Sequence, residues 1–473
     1  MKKKFYLTSA LAYVNAPPHI GHAMQFVRAD VLARYRRLKG DDVFFLTGTD
    51  EYGSKIYRTA RENGVTPKRL ADENAKKFKL LDELLDISYN GFIRTTDKKH
   101  ALNAQKIWNL LEKKGDIYKR KYRGLYCVGC EAFKTEKDLI DGKCPEHRKE
   151  PEIIEEENYF FRLSKYAKKV EGKIKKGELR IIPESKRNEI LAFLRQGIED
   201  ISFSRPKKVL PWGILVPSDK KQVIYVWADA LTGYLLPYKH WPADLHIIGK
   251  DNLKFHALYW SAMLMSADLP LPKTIYVHGF ITSGGLKMSK TIGNIVDPFE
   301  ILKKYGVDAL RYYLLREIPA YEDGDFTEER FKERYNGELA NGLGNFCARV
   351  LTLAERDTNI RMHTNDTNIT NKIKKTKKQV GQKLEEFKFN EALAAIWELI
   401  SFGDNYVNQT TPWKIENEKE KNKVIFNLVI LLKEISGLLQ PFLPQTSEKI
   451  FKNIKISEKV IRVKKGEILF PRI

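Results

Sequence analysis

Phe5-Tyr-Leu-Thr-Ser-Ala-Leu-Ala-Tyr-Val-Asn-Ala-Pro-Pro-His-Ile-Gly-His22 runs from an apolar segment through a turn-rich one into the start of a helix. Residues 4–8 read as a short buried strand; Asn15, Pro17 and Pro18 are turn formers; a helical pattern begins near His19. Strand, loop, helix is the layout of a nucleotide site, because free backbone N–H groups and the positive end of the helix dipole meet phosphates there. His19 and His22 lie three apart and share a helical face, so two imidazoles can donate to phosphate oxygens as charge builds. Gly21, without a Cβ, leaves room for a flat adenine against the backbone.

A second apolar run, Asp42-Val-Phe-Phe-Leu-Thr-Gly-Thr-Asp50, is again followed by helical periodicity, so the first hundred or so residues read as successive βα units of a parallel sheet. Two further strands, Leu245-His-Ile-Ile-Gly249 and Thr274-Ile-Tyr-Val-His-Gly279, flank a helical pattern over 253–265. The sheet is therefore split by an insertion, whose composition changes to a cysteine cluster, the acidic Glu155-Glu-Glu157 and short strand-like pieces. From about 330 the spacing is helical, through Leu339, Leu343, Phe346 and Val350, then Leu393, Ile396, Leu399 and Ile400, then 425–439, with a polar linker at 359–371 and a run of lysines after it. The expected fold class is α/β: a Rossmann-like parallel-sheet domain at 1–114 and 226–330, an inserted zinc-knuckle domain at 115–225, and an all-α helix bundle at 331–473.

The 473 residues allow about three domains. With 42% hydrophobic and 30% charged residues, collagen-like and wholly disordered chains are excluded. The 83 Lys and Arg against 61 Asp and Glu leave +22, which favours a polyanionic partner such as nucleic acid. No run approaches the roughly 20 apolar residues that cross a bilayer and no secretory signal is recognisable, so a cytoplasmic protein without a membrane role is expected.

Cys127-x-x-Cys130 and Cys144-x-x-His147 place four ligands in two pairs, each spaced to turn back on one ion, the pattern of a zinc knuckle. Protein fills all four positions, so the Zn2+ is expected to be structural. Lys287-Met-Ser-Lys290, after Gly284-Gly285 and the strand ending near Gly279, reads as a loop able to hinge and to deliver two ammonium groups to phosphoryl chemistry. In the bundle, Asn345 and Arg349 share one helical face and Trp413 follows Pro412, a set suited to stacking on and reading unpaired bases.

The two motifs, in this order and each after a strand, resemble the signature pair of the class I aminoacyl-tRNA synthetases. Thr8-Ser-Ala-Leu-Ala-Tyr-Val-Asn15, Phe44-Phe-Leu-Thr-Gly-Thr-Asp-Glu51, Tyr225-Val-Trp-Ala-Asp-Ala230, Trp241-Pro-Ala-Asp-Leu-His246, Gly249-Lys-Asp251 with Phe255-His256, and Gly337-Glu-Leu-Ala-Asn341 are similar to the methionyl-tRNA synthetase family, from residue 4 to Leu469-Phe-Pro-Arg472. The resemblance implies a methionine–tRNA ligase that uses ATP with Mg2+ and one structural Zn2+, and whose partners are L-methionine and initiator and elongator tRNA(Met). It implies a methionine pocket of Ala10, Leu11, Tyr13, Trp227, Ala230, Leu231, Tyr234, His256 and Trp260, with Asp50 on the α-ammonium. It implies an ATP site of His19, Gly21, His22, Gly249, Asp251, Lys287 and Lys290, the two histidines and two lysines being catalytic. Asn345, Arg349 and Trp413 would bind the CAU anticodon, and the insertion would be the connective-peptide domain that holds the zinc.

Departures from the family pattern are Asn252 beside the pocket, where an aliphatic residue is usual, Ala12, and Thr291 in place of Ser after Lys290. The rivals are a cysteinyl-tRNA synthetase, which would need zinc ligands spread around the catalytic fold, and a synthetase-like RNA-binding protein that has lost catalysis. The end at Ile473, directly after the bundle, leads to the expectation of a monomer.

Overall fold

The computed structural model describes residues 2–473 except 135, 146, 289–292, 357–359, 364, 365, 458 and 459, and so leaves Lys290 outside the described residues. β1 (Lys4–Ser9) is buried at every residue after Lys4. The chain breaks at Ala10 and Leu11, forms β2 (Ala12–Tyr13), and enters α1 (Ile20–Leu38). β3 (Asp42–Asp50) coincides with the second apolar run, and is followed by α2 (Ser54–Glu62), α3 (Pro67–Leu84), β4 (Gly91–Arg94) and α4 (Lys98–Lys113).

The region that differs in composition begins with β5 (Ile117–Cys127), β6 (Ala132–Lys134) and β7 (Glu152–Phe161). It continues through α5 (Ser164–Lys175), β8 (Arg180–Ile182), α6 (Glu184–Arg195) and β9 (Ile201–Ser202). An antiparallel sheet in the order β6-β5-β7-β9 carries the cysteine cluster. β10 (Ser204–Pro206), β11 (Leu215–Val216) and β12 (Asp219–Ile224) form a small sheet beyond it. α7 (Val226–Ala230), β13 (Leu245–Gly249), α8 (Ser261–Ser266) and β14 (Thr274–His278) follow. The helical pattern read at 253–265 is not uniform: Phe255–Trp260 is a π-helical segment, a geometry often found at functional sites.

The chain divides into two compact units, 1–18 with 36–82 and 88–278, and 19–35 with 83–87 and 279–473. The first holds a parallel sheet in the order β2-β3-β1-β13-β14-β8, with β4 also on β3. β13 and β14 are apolar runs because both faces of such a sheet are covered. β1 is flanked by β3, which follows it closely in sequence, and by β13, which comes after the inserted strands, so a topological switch lies at the carboxyl ends of β1 and β13, where ligands bind in open α/β sheets. β8, from within the stretch that differs in composition, extends the sheet beyond β14. Trp108, Phe161, Phe203 and Trp260 are among the large residues of this unit's core.

The second unit contains β15 (Ile281–Ser283), β16 (Leu286–Lys287), α9 (Pro298–Tyr305), α10 (Val307–Arg316), β17 (Gly324–Phe326) and α11 (Glu328–Arg334). Gly284 and Gly285, with φ of 61° and 74°, form the two-residue turn of the β15–β16 hairpin, where two positive φ values match the strand twist. A second π-helical segment, Tyr335–Gly344, leads into α12 (Asn345–Glu355), β18 (Ile360–Arg361), α13 (Thr367–Glu385), α14 (Phe389–Thr410), α15 (Glu418–Leu439), α16 (Pro444–Asn453), β19 (Ile454–Ile456) and β20 (Val460–Val463). The stretch 359–371, read as a linker, is already helical from Thr367, because the Asp366 side chain accepts from the backbone N–H groups of Asn368 and Ile369 and caps α13. A small antiparallel sheet, β18-β20-β19, accompanies the helices.

Candidate active site, metal cluster and RNA-binding surface

In the first unit β2 pairs with the end of β3 so that Tyr13 and Asp50 are direct Cα partners. Asp50 is 6% exposed, and its Oδ1 is buried without a hydrogen-bond donor. Burial, then the charges of Asp229, Glu131 and Glu51, push its carboxyl above the usual range, against a backbone hydrogen bond from Tyr52. Tyr13 and Tyr234 lie near enough to feel its charge; Ala10, Leu231, Tyr234 and Trp260 belong to this unit's hydrophobic core, with Leu11, Tyr13 and Trp227 packed against that core.

His256 sits in the π-helical segment, four residues before Trp260. Its Nδ1 is 3.0 Å from the Asn252 carbonyl and its Nε2 2.9 Å from the Tyr234 hydroxyl. Burial lowers its pKa to about 4, so the ring is neutral at pH 7; the carbonyl takes the Nδ1 proton, and the tyrosine donates to Nε2. Asn252 thus meets His256 through its backbone carbonyl. Ala230 ends α7 and is buried, Gly249 ends β13 and is buried, and Asp251 is exposed just beyond it.

In the second unit His19 and His22 stand at the start of α1 with ring centroids 4.0 Å apart. The Gly21 N–H donates to His19 Nδ1 at 3.1 Å and the His19 N–H to His22 Nδ1 at 3.2 Å, which leaves the proton of each neutral ring on Nε2. Burial holds His19 down to about 4 and lowers His22, whose neighbour His19 adds to the shift, so both rings are neutral at pH 7. A Cβ on Gly21 would lie 2.9 Å from His19 Cε1, so the glycine lets the imidazole fold close over it. The Val296 carbonyl accepts from the Ile20 N–H at 3.2 Å. The helix is anchored by Asp30, which receives Arg311 and Arg34 at 2.7 Å each; Asp30 and Arg311 are fully buried. Lys287 ends β16.

The Cys130 sulfur lies 3.5 Å from that of Cys144 and 3.4 Å from His147 Nδ1, and Cys127 and Cys144 lie 3.9 and 3.8 Å from that nitrogen. Tetrahedral Zn2+ with bonds of about 2.0–2.3 Å has ligand–ligand edges of roughly 3.3–3.8 Å, so donor set and spacing both fit zinc. Gly129 is needed here, since a Cβ would meet the His147 ring at 2.4 Å.

On the bundle, Asn345 is exposed at the start of α12, and one turn on Arg349 donates to Asp404 at 2.8 Å and Asn408 at 2.6 Å, both on α14. Such bonds lie in the guanidinium plane. Trp413, just past the end of α14, is 56% exposed and so is not a core residue.

Several residues of the first unit's site were not legible in the sequence. Phe255 stacks on Trp227 at 3.7 Å and 3°. His100 and Asp229, both fully buried, pair at 2.6 Å. Glu51 accepts from Thr49 and both arms of Arg94, and its carbonyl accepts from Trp212, which pins the turn after Asp50. Glu131 contacts Tyr13. Glu51, Asp229 and Phe255 lie in the stretches that resemble the family, whereas their contacts with Arg94, His100 and Trp227 join residues distant in sequence.

Residues 5–151 and 138–351 match the family model of tRNA synthetases class I (M), and residues 366–469 that of the anticodon-binding domain of tRNA ligases. Parallel sheet, paired motifs and helical second unit are those of a class I tRNA synthetase. The methionine–tRNA ligase of Caldanaerobacter subterraneus subsp. tengcongensis is 44% identical over 508 aligned positions, covering 100% of this chain and 79% of that protein. That of Brucella suis is 39% identical, covering 95% and 91%. Mycobacterium tuberculosis methionyl-tRNA synthetase in complex with methionyl-adenylate has a TM-score of 0.94 and 36% identity, covering 99% of this chain and 100% of that one. This chain belongs to the methionyl-tRNA synthetase family.

Proposed function

We propose that this protein is a methionine–tRNA ligase, which activates L-methionine with ATP and transfers it to the 3′ end of initiator and elongator tRNA(Met). The observation that carries the reading is the unpartnered, buried oxygen of Asp50 near Tyr13 and Tyr234. The α-ammonium of methionine satisfies that oxygen, and Ala10, Leu11, Tyr13, Trp227, Ala230, Leu231, Tyr234, His256 and Trp260 receive the thioether side chain, whose polarizable sulfur suits ring contacts.

The methionine carboxylate attacks the α-phosphorus of ATP, the bond from that phosphorus to the bridging oxygen breaks, and pyrophosphate leaves with the electron pair. The Nε2–H groups of His19 and His22 and the ammonium groups of Lys287 and Lys290 stabilise the charge that moves onto phosphate oxygens, beside the Mg2+ that accompanies ATP. Gly21, Gly249 and Asp251 hold adenosine. A terminal ribose hydroxyl of tRNA then attacks the acyl carbon and AMP departs.

Cys127, Cys130, Cys144 and His147 hold structural zinc in a connective domain at 115–225, which interrupts a catalytic domain at 1–114 and 226–330; 331–473 reads the anticodon through Asn345, Arg349 and Trp413. The work of charging tRNA for translation places the protein in the cytoplasm. A cysteinyl-tRNA synthetase and an inactive RNA-binding relative are not supported, since the relatives matched over this whole chain are methionine–tRNA ligases. Amino-acid-dependent ATP–pyrophosphate exchange tests the reading: methionine alone should support it, and exchange with cysteine or with no amino acid would overturn it.

A further inference from the structure

Glu131 directly follows the metal-ligand candidate Cys130 and adopts φ of 51°, a left-handed conformation uncommon for a residue with a Cβ. Its N–H closes the Cys127-x-x-Cys130 turn on the Val128 carbonyl at 3.3 Å. That geometry carries the side chain inward, where the residue is 4% exposed.

Both carboxyl oxygens are fully engaged. Oε1 accepts from the Tyr13 hydroxyl at 2.9 Å and the Lys55 N–H at 2.5 Å; Oε2 accepts from the hydroxyls of Ser54 and Tyr126 at 2.6 Å each. α2, which starts at Ser54, has Gly53 at its N-cap and no side-chain cap of its own. Glu131 provides the missing acceptor from another part of the chain, and its charge is favourable at the positive end of the helix dipole. The space is shaped for this contact: a Cβ on Gly53 would lie 2.5 Å from the Tyr13 hydroxyl and 3.0 Å from Glu131 Oε1.

Asp50 lies between the two groups so held. Tyr13 is its Cα partner across β2 and β3, and the start of α2 is the segment into which its own strand runs. We infer that Glu131 is a positioning residue for methionine: from the turn of the metal knuckle it fixes Tyr13 and the start of α2, and so sets the geometry of the ammonium and thioether site. The inference rests on the proposed methionine pocket. It adds that the knuckle's turn is part of the pocket's support. A cap alone would serve stability only, whereas positioning acts on one substrate.

The test compares wild type, Glu131→Gln, Tyr13→Phe and the double variant in methionine-dependent ATP–pyrophosphate exchange, with KM measured separately for methionine and ATP, and with melting temperature and metal content recorded. Glu131→Gln keeps the shape but turns an NH2 toward groups that were donating to an acceptor. It should raise KM for methionine about tenfold, the effect of mispairing one buried hydrogen bond, with KM for ATP within about twofold. Tyr13→Phe should do likewise, and the double variant should be no worse than about twofold beyond the larger single effect. An unchanged KM for methionine, a parallel rise in both KM values with a lowered melting temperature, or multiplication of the two single effects would overturn the positioning role. Absence of methionine-dependent exchange in the wild type would overturn the methionine pocket and this inference together.

Discussion

Asp50→Asn should move binding and stability in opposite directions. In the free protein the Asp50 carboxyl is buried, one oxygen lacks a donor, and Asp229, Glu131 and Glu51 all act to disfavour its charge. The amide is nearly isosteric and carries no charge, so it removes a desolvation cost and three like-charge interactions at once. A gain of about 0.5–2 kcal/mol in unfolding free energy is expected, as at other sites where function holds a strained group. With substrate the sign reverses. Taking one partner from a buried ion pair leaves the methionine ammonium uncompensated and costs about 3–5 kcal/mol, which is roughly two to four powers of ten in kcat/KM for methionine. ATP–pyrophosphate exchange at varied methionine, together with urea unfolding of the same preparations, reads both quantities. A variant less stable than wild type, or one whose kcat/KM for methionine falls less than tenfold, would refute the assignment of Asp50 to the ammonium.

Trp413→Ala should weaken tRNA binding by about 1–3 kcal/mol, the range for a stacked base, with methionine activation unchanged. Because Trp413 is 56% exposed, its melting curve should stay native; parallel loss of stability and both activities would speak against an RNA contact. Metal analysis should return about one zinc per chain, lost in Cys130→Ser, and the variant should also show a raised KM for methionine because Glu131 loses its anchor. Stability should fall in mild acid. His22, His246 and His256 have folded pKa values below the ordinary 6.5, so their contribution is complete above pH 6.5 and is lost as pH falls below it, for His256 toward about 4. His256 alone, lowered to about 4, accounts for about 3 kcal/mol of that loss, and His256→Gln should give a shallower dependence of the unfolding midpoint on pH between 6.5 and 4.

The legible part of the site was local in character. β3 and the later strands β13 and β14 showed as apolar runs because both faces of a parallel sheet are covered, and the knuckle showed because its ligand pairs lie a few residues apart. The roles of glycines were harder to judge. At Gly21 the atoms nearest to an added Cβ belong to the His19 ring, and Gly284 and Gly285 form the turn of a hairpin. A glycine announces a missing Cβ, while the group that occupies the vacated space is set by the fold.

By itself the amino-acid sequence marked β1, β3, β13 and β14, the helical character beyond about 330, the two motifs at helix start and loop, and the Cys/His donor set, since periodicity and short spacings depend on neighbours in the chain. Tertiary structure decided which of these groups acquired chemistry. Asp50 became an unpartnered acceptor when the strands and Asp229 enclosed it, Trp413 was left in solvent while Arg349 was held by α14, and Glu131 reached Tyr13 and the start of α2 from the metal turn. Burial and long-range hydrogen bonding are properties of groups distant in sequence brought together, and they set pKa values, unsatisfied acceptors and positioning contacts that no local pattern encodes.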